Sequence, residues 1–184
     1  MRYGPKPENP VFDMIEPVIT GLGMVLVELT VTPRGRGHEG AVQIRATVYK
    51  PGAVGVDDCA AAHRAILPRL ALAFPEENLS VEVSSPGINR AIRDAAEFPV
   101  WMGRGLRCYR ADTGAWEAGI LRRADETGIG LETAAGLVEL DFDVIARAKL
   151  DHSLESALES VLSSTGRGGL PEPATGTGCR NRLE

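Results

Sequence analysis

Cysteine is scarce in this chain of 184 residues: Cys59, Cys108 and Cys179 are odd in number and far apart. That excludes a disulfide framework and fits a reducing cytosol. No CxxC pair or clustered His/Cys set is present, so Cys59 and His63, four apart on one predicted helix, read as core-edge residues rather than zinc ligands. Histidine is equally sparse. His38, His63 and His152 stand in no recognisable nucleophile–base arrangement, and Ser84-Ser85-Pro86-Gly87 is no G-x-S-x-G elbow. Gly35-Arg36-Gly37 lacks the GK[ST] ending of a phosphate loop. The pairs Asp57/Asp58 and Glu76/Glu77 read as cap and loop residues, not as an acid–base dyad. With no base, nucleophile, metal set or cofactor motif, the sequence argues against an enzyme. Basic charge is also lacking. Lys and Arg total 20 against 25 Asp and Glu, a net charge of −5, which excludes a whole-chain electrostatic clamp on RNA. No apolar run approaches a membrane span, and the opening MRYGPKPENP lacks a signal-peptide core.

What is present is ordinary globular material, 43% hydrophobic and 24% charged. Val11, Ile15, Val18, Ile19 and Leu22 form a helical stripe, with Asn9 as N-cap, Pro10 in the first turn and a kink expected at Pro17. Residues 24–32 and 41–50 alternate as strands. In the first, Val25, Val27, Leu29 and Val31 are predicted to face one way; in the second, Val42, Ile44, Ala46 and Val48. The loop between them carries Arg34 and Arg36. Asp57 reads as the cap of a second helix bearing Cys59, Ala62, Ile66, Leu67 and Leu70, bent or divided at Pro68. A strand follows at Leu79, Val81 and Val83. The order α-β-β-α-β indicates an α+β unit with both helices on one face of a small sheet. Beyond it, Leu106–Tyr109, Trp116–Leu121, Gly128–Leu131, Leu137–Leu140 and Ile145–Leu150 read as short strands of a small barrel or sandwich. Phe98, Trp101, Trp116 and Phe142 are its expected large fillers. The predicted division is a flexible N-terminus at 1–9, an α+β domain at 10–92, a linker at 93–100, a β domain at 101–152, and a helix with a disordered tail at 153–184.

The most informative stretch is Val81-Glu82-Val83-Ser84-Ser85-Pro86-Gly87-Ile88-Asn89-Arg90. Pro86 cannot continue a sheet ladder, and Pro86-Gly87 suits the centre of a type II turn with Gly87 at positive φ. Arg90 would then emerge exposed, and a positioned guanidinium can grip phosphate or carboxylate bidentately. The plainer reading is a strand–turn junction with a solvated arginine. Arg34/Arg36, Arg90/Arg93 and Arg122/Arg123 are the other basic pairs within reach of phosphates, with Glu39, Asp125 and Glu126 weakening their field.

Together these segments resemble the ribosome maturation factor RimP family over roughly residues 11–150. The resemblance is carried by Glu16-Pro17-Val18 through Gly21-Leu22-Gly23, by Val25-Leu26-Val27-Glu28-Leu29, by Val56-Asp57-Asp58-Cys59-Ala60, and by Glu82-Val83-Ser84-Ser85-Pro86-Gly87-Ile88 with Arg90. The chain departs from the family pattern in having Asn89 for aspartate and Ala91 for proline. The resemblance implies an α+β N-terminal domain followed by an Sm-like, SH3-type β-barrel. It also implies a cytoplasmic, non-catalytic factor for small-subunit maturation, without cofactor or metal. Its implied partners are the free small ribosomal subunit, a decoding-centre ribosomal protein and, by direct contact, small-subunit rRNA, with no membrane and as a monomer. On that reading Ser84, Ser85, Pro86, Gly87, Asn89, Arg90, Arg93, Arg34 and Arg36 are candidate subunit contacts, and Asp141 and Asp143 belong to an acidic face for a basic ribosomal protein. The alternative from another class is an Sm-like RNA-binding regulator. It would need aromatic stacking platforms, and only Trp101, Tyr109 and Trp116 qualify, all expected in the core.

Overall fold

The computed structural model describes residues 3, 8–33, 41–75 and 78–155. Helix α1 (Pro10–Gly21) starts where Asn9 accepts hydrogen bonds from the Val11 and Phe12 N–H groups, satisfying two of the donors that a helix start leaves unpaired. Strands β1 (Val25–Pro33) and β2 (Val42–Tyr49) are antiparallel, and β3 (Leu79–Ser84) runs parallel to β2 at the far edge. A parallel neighbour needs a crossover, which α2 (Val56–Leu70) supplies. The α-β-β-α-β order is as predicted. Both helices run on past Pro17 and Pro68. They pack with the sheet around Ile15, Ile19, Ile44, Ala46, Val48, Ala62, Ile66 and Leu70, all fully buried.

Two local expectations fail for physical reasons. The uniform alternation predicted for β1 is broken by a β-bulge between Leu26 and Glu28. One extra residue shifts the pleat by one position. Leu26 and Leu29 therefore enter the helix-covered core and Val27 enters a second core on the other side, while Val25 and Val31 are exposed. The cap of α2 is also two residues earlier than predicted. Gly55 is the N-cap, Asp57 is exposed, and the Asp58 carboxylate accepts from the Gly55 N–H at 2.8 Å. Asp58 accepts from the Lys50 ammonium too, and these hydrogen bonds hold its carboxyl below the usual aspartate range.

The remainder is a six-stranded antiparallel sheet. Its strands are β4 (Ala91–Ile92), β5 (Gly105–Arg110), β6 (Trp116–Ala124), β7 (Gly128–Thr133), β8 (Gly136–Asp141) and β9 (Ile145–Leu150), in the order β4-β9-β5-β6-β7-β8. All five runs predicted as strands are strands; β4 was not foreseen, because two residues carry no periodicity. Among the described residues no pairing joins β8 to β4, so by strand pairing the sheet is open rather than a closed barrel. A 3-10 helix, Ala95–Trp101, leads into it. Phe98, Trp101 and Phe142 fill its core as expected, with Leu106, Leu121, Ile129 and Leu131. Tyr3 joins them, its ring 5.3 Å from Phe98. Trp116 does not: it is 46% exposed on the outer face, because the inward register of β6 runs through Gly119 and Leu121, and Trp116 has the opposite parity. Gly128 permits close strand approach, since a Cβ there would lie 2.3 Å from the Leu140 carbonyl oxygen. Among the described residues no helix is long and apolar enough to cross a membrane. The Arg34/Arg36 loop tip, the end of the helix predicted at 153–163, and the tail lie outside the described residues.

Candidate functional site

The turn after β3 sits two residues later than the sequence suggested. Arg90 N donates to the Gly87 carbonyl at 3.0 Å, which makes Ile88 and Asn89 the central residues. Gly87 is not at positive φ. Ser84, Ser85, Gly87, Ile88 and Asn89 are exposed and Pro86 is half-buried. They form a projecting rim beside a cavity of about 150 Å³ lined by Tyr49, Pro86, Ile88, Trp101, Arg104 and His152.

Arg90 does not project with them. Its side chain is only 10% exposed. Nε donates to Glu97 Oε1 at 2.5 Å and Nη1 donates to Glu28 Oε2 at 2.8 Å. Arg93 completes the knot: its Nη1 lies 2.7 Å from Glu28 Oε1, and its backbone N–H donates to Glu97 Oε2. The Trp101 indole N–H reaches Glu97 Oε1 at 3.4 Å, and the Arg90 carbonyl accepts from Leu150 N–H at 2.9 Å. Burial disfavours the Arg90 charge, but Glu97 and Glu28 outweigh it, so its pKa is raised and the group stays cationic. The expected exposed guanidinium is thus an internal clamp. It joins β1 of the first unit to the 3-10 helix and β9 of the second. Arg93, 66% exposed, is the one of the pair that reaches the surface.

A second tie stands across the same junction. Arg104 donates to the Tyr49 hydroxyl of β2 at 3.2 Å and to Glu155 Oε1 at 2.8 Å, and its Nη2 lies 2.8 Å from His152 Nδ1. Tyr49 packs on Trp101 with ring centroids 4.7 Å apart. Burial alone would raise the Glu155 pKa. Hydrogen bonds from Arg104 and the Gly105 N–H outweigh it and hold the carboxyl below the usual glutamate range. A depressed folded value contributes stability above the unfolded pKa of about 4.3 and loses it as pH falls through the lower folded value. Glu155→Gln is therefore expected to cost about 1 kcal/mol at pH 7. The gap from wild type should close below about pH 4 in urea titrations at several pH values; a gap independent of pH would contradict the pairing.

The acids of the second unit divide into two groups. Glu132 pairs with Arg122, and Glu139 and Asp125 pair with Arg123. Those two arginines are thereby neutralised as phosphate ligands. Asp141 and Asp143 are exposed, and among the described residues neither forms an ion pair. Also among the described residues, no group of three or more His, Cys, Asp or Glu side chains could hold a metal ion. Cys108 is buried and its thiol is pushed up to about 12, mainly by burial.

Sequence reasoning missed Glu28, Glu97, Tyr49 and Arg104. Glu97 is 4% exposed, and a buried carboxylate has no signature in a segment without period. Glu28 lies on the sheet face opposite Leu29, as strand alternation implies, and the sequence does not show that Arg90 and Arg93 meet it there.

The family model described as the RimP N-terminal domain matches residues 14–89. Proteins called ribosome maturation factor RimP from Borrelia hermsii, Borrelia recurrentis and Borrelia turicatae are 33%, 30% and 29% identical to the chain over 140 residues. Each alignment covers 76% of this chain and 93% of the relative.

Proposed function

The chain belongs to the RimP family, and from that premise we propose that it is a cytoplasmic, non-catalytic factor for maturation of the small ribosomal subunit. The observation that carries the reading is a likeness to ribosome maturation factors that runs over most of this chain and nearly all of theirs. The geometry adds how such a factor would work. Ser84, Ser85, Pro86, Gly87, Asn89 and Arg93 form a rim that contacts the free subunit, with Arg34 and Arg36 on the loop between the first two strands. Arg90 supports that rim from behind. The rim is presented by two units whose relative position is fixed by ion pairs, so little ordering entropy is lost on docking.

The second unit is, on this reading, an Sm-like, SH3-type fold. Each of its strands contributes to one core, as expected of a sheet rolled about its own inner face. Its exposed Asp141 and Asp143 would attract a basic decoding-centre ribosomal protein. The factor acts as a monomer.

The test is cosedimentation of the purified protein with free small subunits and with assembled ribosomes, at low and moderate salt. Binding to free subunits alone, surviving moderate salt, is expected, and charge reversal at Asp141 and Asp143 should weaken capture of the ribosomal protein. Equal binding to both particles that vanishes with salt would contradict the reading.

A further inference from the structure

The sequence suggested that the few aromatics of the second unit fill its core, yet Trp116 is 46% exposed. Its surroundings follow from strand register. Leu106 and Cys108 of β5 and Ala148 and Leu150 of β9 point inward, so Arg107, Tyr109, Arg147 and Lys149 point outward. Tyr109 lies directly opposite both Trp116 on β6 and Arg147 on β9, and Arg107 lies opposite Ala118 and Lys149. Directly opposed residues share a face. Two adjacent rows result: Arg147-Tyr109-Trp116, and Lys149-Arg107-Ala118 continued by Ala91 on β4.

The Tyr109 and Trp116 rings are 5.3 Å apart, and the Lys149 ammonium is 5.5 Å from the Trp116 ring centre. Arg107 is anchored by Asp151 at 2.8 Å and stays 42% exposed. Among the described residues no carboxylate pairs with Arg147 or Lys149. Alanine at positions 91 and 118 leaves the second row low beside the rings. On a chain of net charge −5, this face sets two cations without a carboxylate partner among the described residues, Arg147 and Lys149, beside an exposed indole.

We propose that this outer face of β9, β5 and β6 binds single-stranded RNA, with a base stacked on Trp116 and backbone phosphates held by Arg147 and Lys149. Charge complementarity selects a polyanion, and an aromatic set among cations selects unpaired bases over a duplex, whose stacked bases cannot reach the ring. Arg147, Lys149 and Trp116 lie outside the Ser84–Arg93 segment in sequence, and only Ala91 of that segment borders the face. The inference rests on the assembly reading only in taking the RNA to be that of the immature subunit.

The test uses the full chain carrying Trp101→Phe, which leaves Trp116 as its single tryptophan. A fluorescein-labelled oligouridine of about twelve nucleotides serves as probe. Saturable quenching of Trp116, with tighter binding to the single strand than to a duplex of equal length, is expected. In the parent chain, Trp116→Ala and Trp116→Leu should each weaken binding about five- to hundredfold. Position 116 is on the surface, and a melting curve checks each variant. Arg147→Glu with Lys149→Glu should weaken it further and flatten the salt dependence. Absence of quenching, unchanged affinity in the Trp116 variants, or preference for the duplex would overturn the proposal. So would loss of subunit binding in the charge-reversed variant with oligouridine affinity unchanged, which would assign the face to protein. Wild-type cosedimentation with free subunits reports on the assembly reading separately: subunit binding without oligouridine binding removes this face and leaves that reading standing.

Discussion

Arg90→Ala is expected to cost about 3–5 kcal/mol of folding stability, the range for removing one partner of a buried ion pair. The reason lies in what remains. Glu97, with its side chain 3% exposed, would keep only the Arg93 N–H and the long indole contact. Neither supplies a counter-charge. Glu28 would fare better, because Arg93 still pairs with it. The loss should therefore exceed that of Arg93→Ala, whose guanidinium is 66% exposed and worth about 1 kcal/mol or less. Urea denaturation of the two variants measures both. Equal losses would show that Arg90 is no clamp.

Trp101→Ala is expected to lose about 3–5 kcal/mol, as large aromatic truncations in cores do. Trp101 is 1% exposed, fills the core of the second unit, and packs on Tyr49 of the first. Its removal opens a cavity at the junction and deprives Glu97 of a donor. Trp101→Phe keeps most of the packing and should cost far less. Because Glu97 touches both Arg90 and Trp101, the two alanine losses should be non-additive. A double variant losing the full sum would mean that the two residues act independently.

Much of the architecture was legible because it is periodic. The helical stripe through Ile15 and Ile19 (though not its predicted last member, Leu22, which caps the helix and is exposed), the alternation through Ile44, Ala46 and Val48, and the punctuated short strands after Trp101 all follow from one residue period each. What escaped was aperiodic. A one-residue bulge redirected Val27, the two-residue β4 carried no pattern, and a carboxylate at Glu97 was buried by partners remote in sequence. The junctional segment Val81–Arg90 was recognisable as special, but its turn register was not. Pro86-Gly87 admits a type II turn, whereas the structure closes the hydrogen bond from Arg90 to Gly87. Arg90 read as a ligand-gripping side chain for the same reason: sequence shows that a guanidinium follows a turn, not which way it folds back. The outer face around Trp116 was hidden because indoles are more often core, and only strand register reveals which side of β6 they occupy.

The central claim is that the family's signature turn contacts the subunit through its exposed rim while its arginine holds the two units together. The direct measurement is free-subunit cosedimentation of Arg90→Met combined with Glu97→Gln. That pair removes both charges together, and similar replacements of buried ion pairs are often neutral for stability. Subunit affinity within about twofold of wild type, with a comparable melting curve, is the expected result. Loss of subunit binding in a variant that melts like wild type would contradict it, and would mean that the guanidinium itself is the contact.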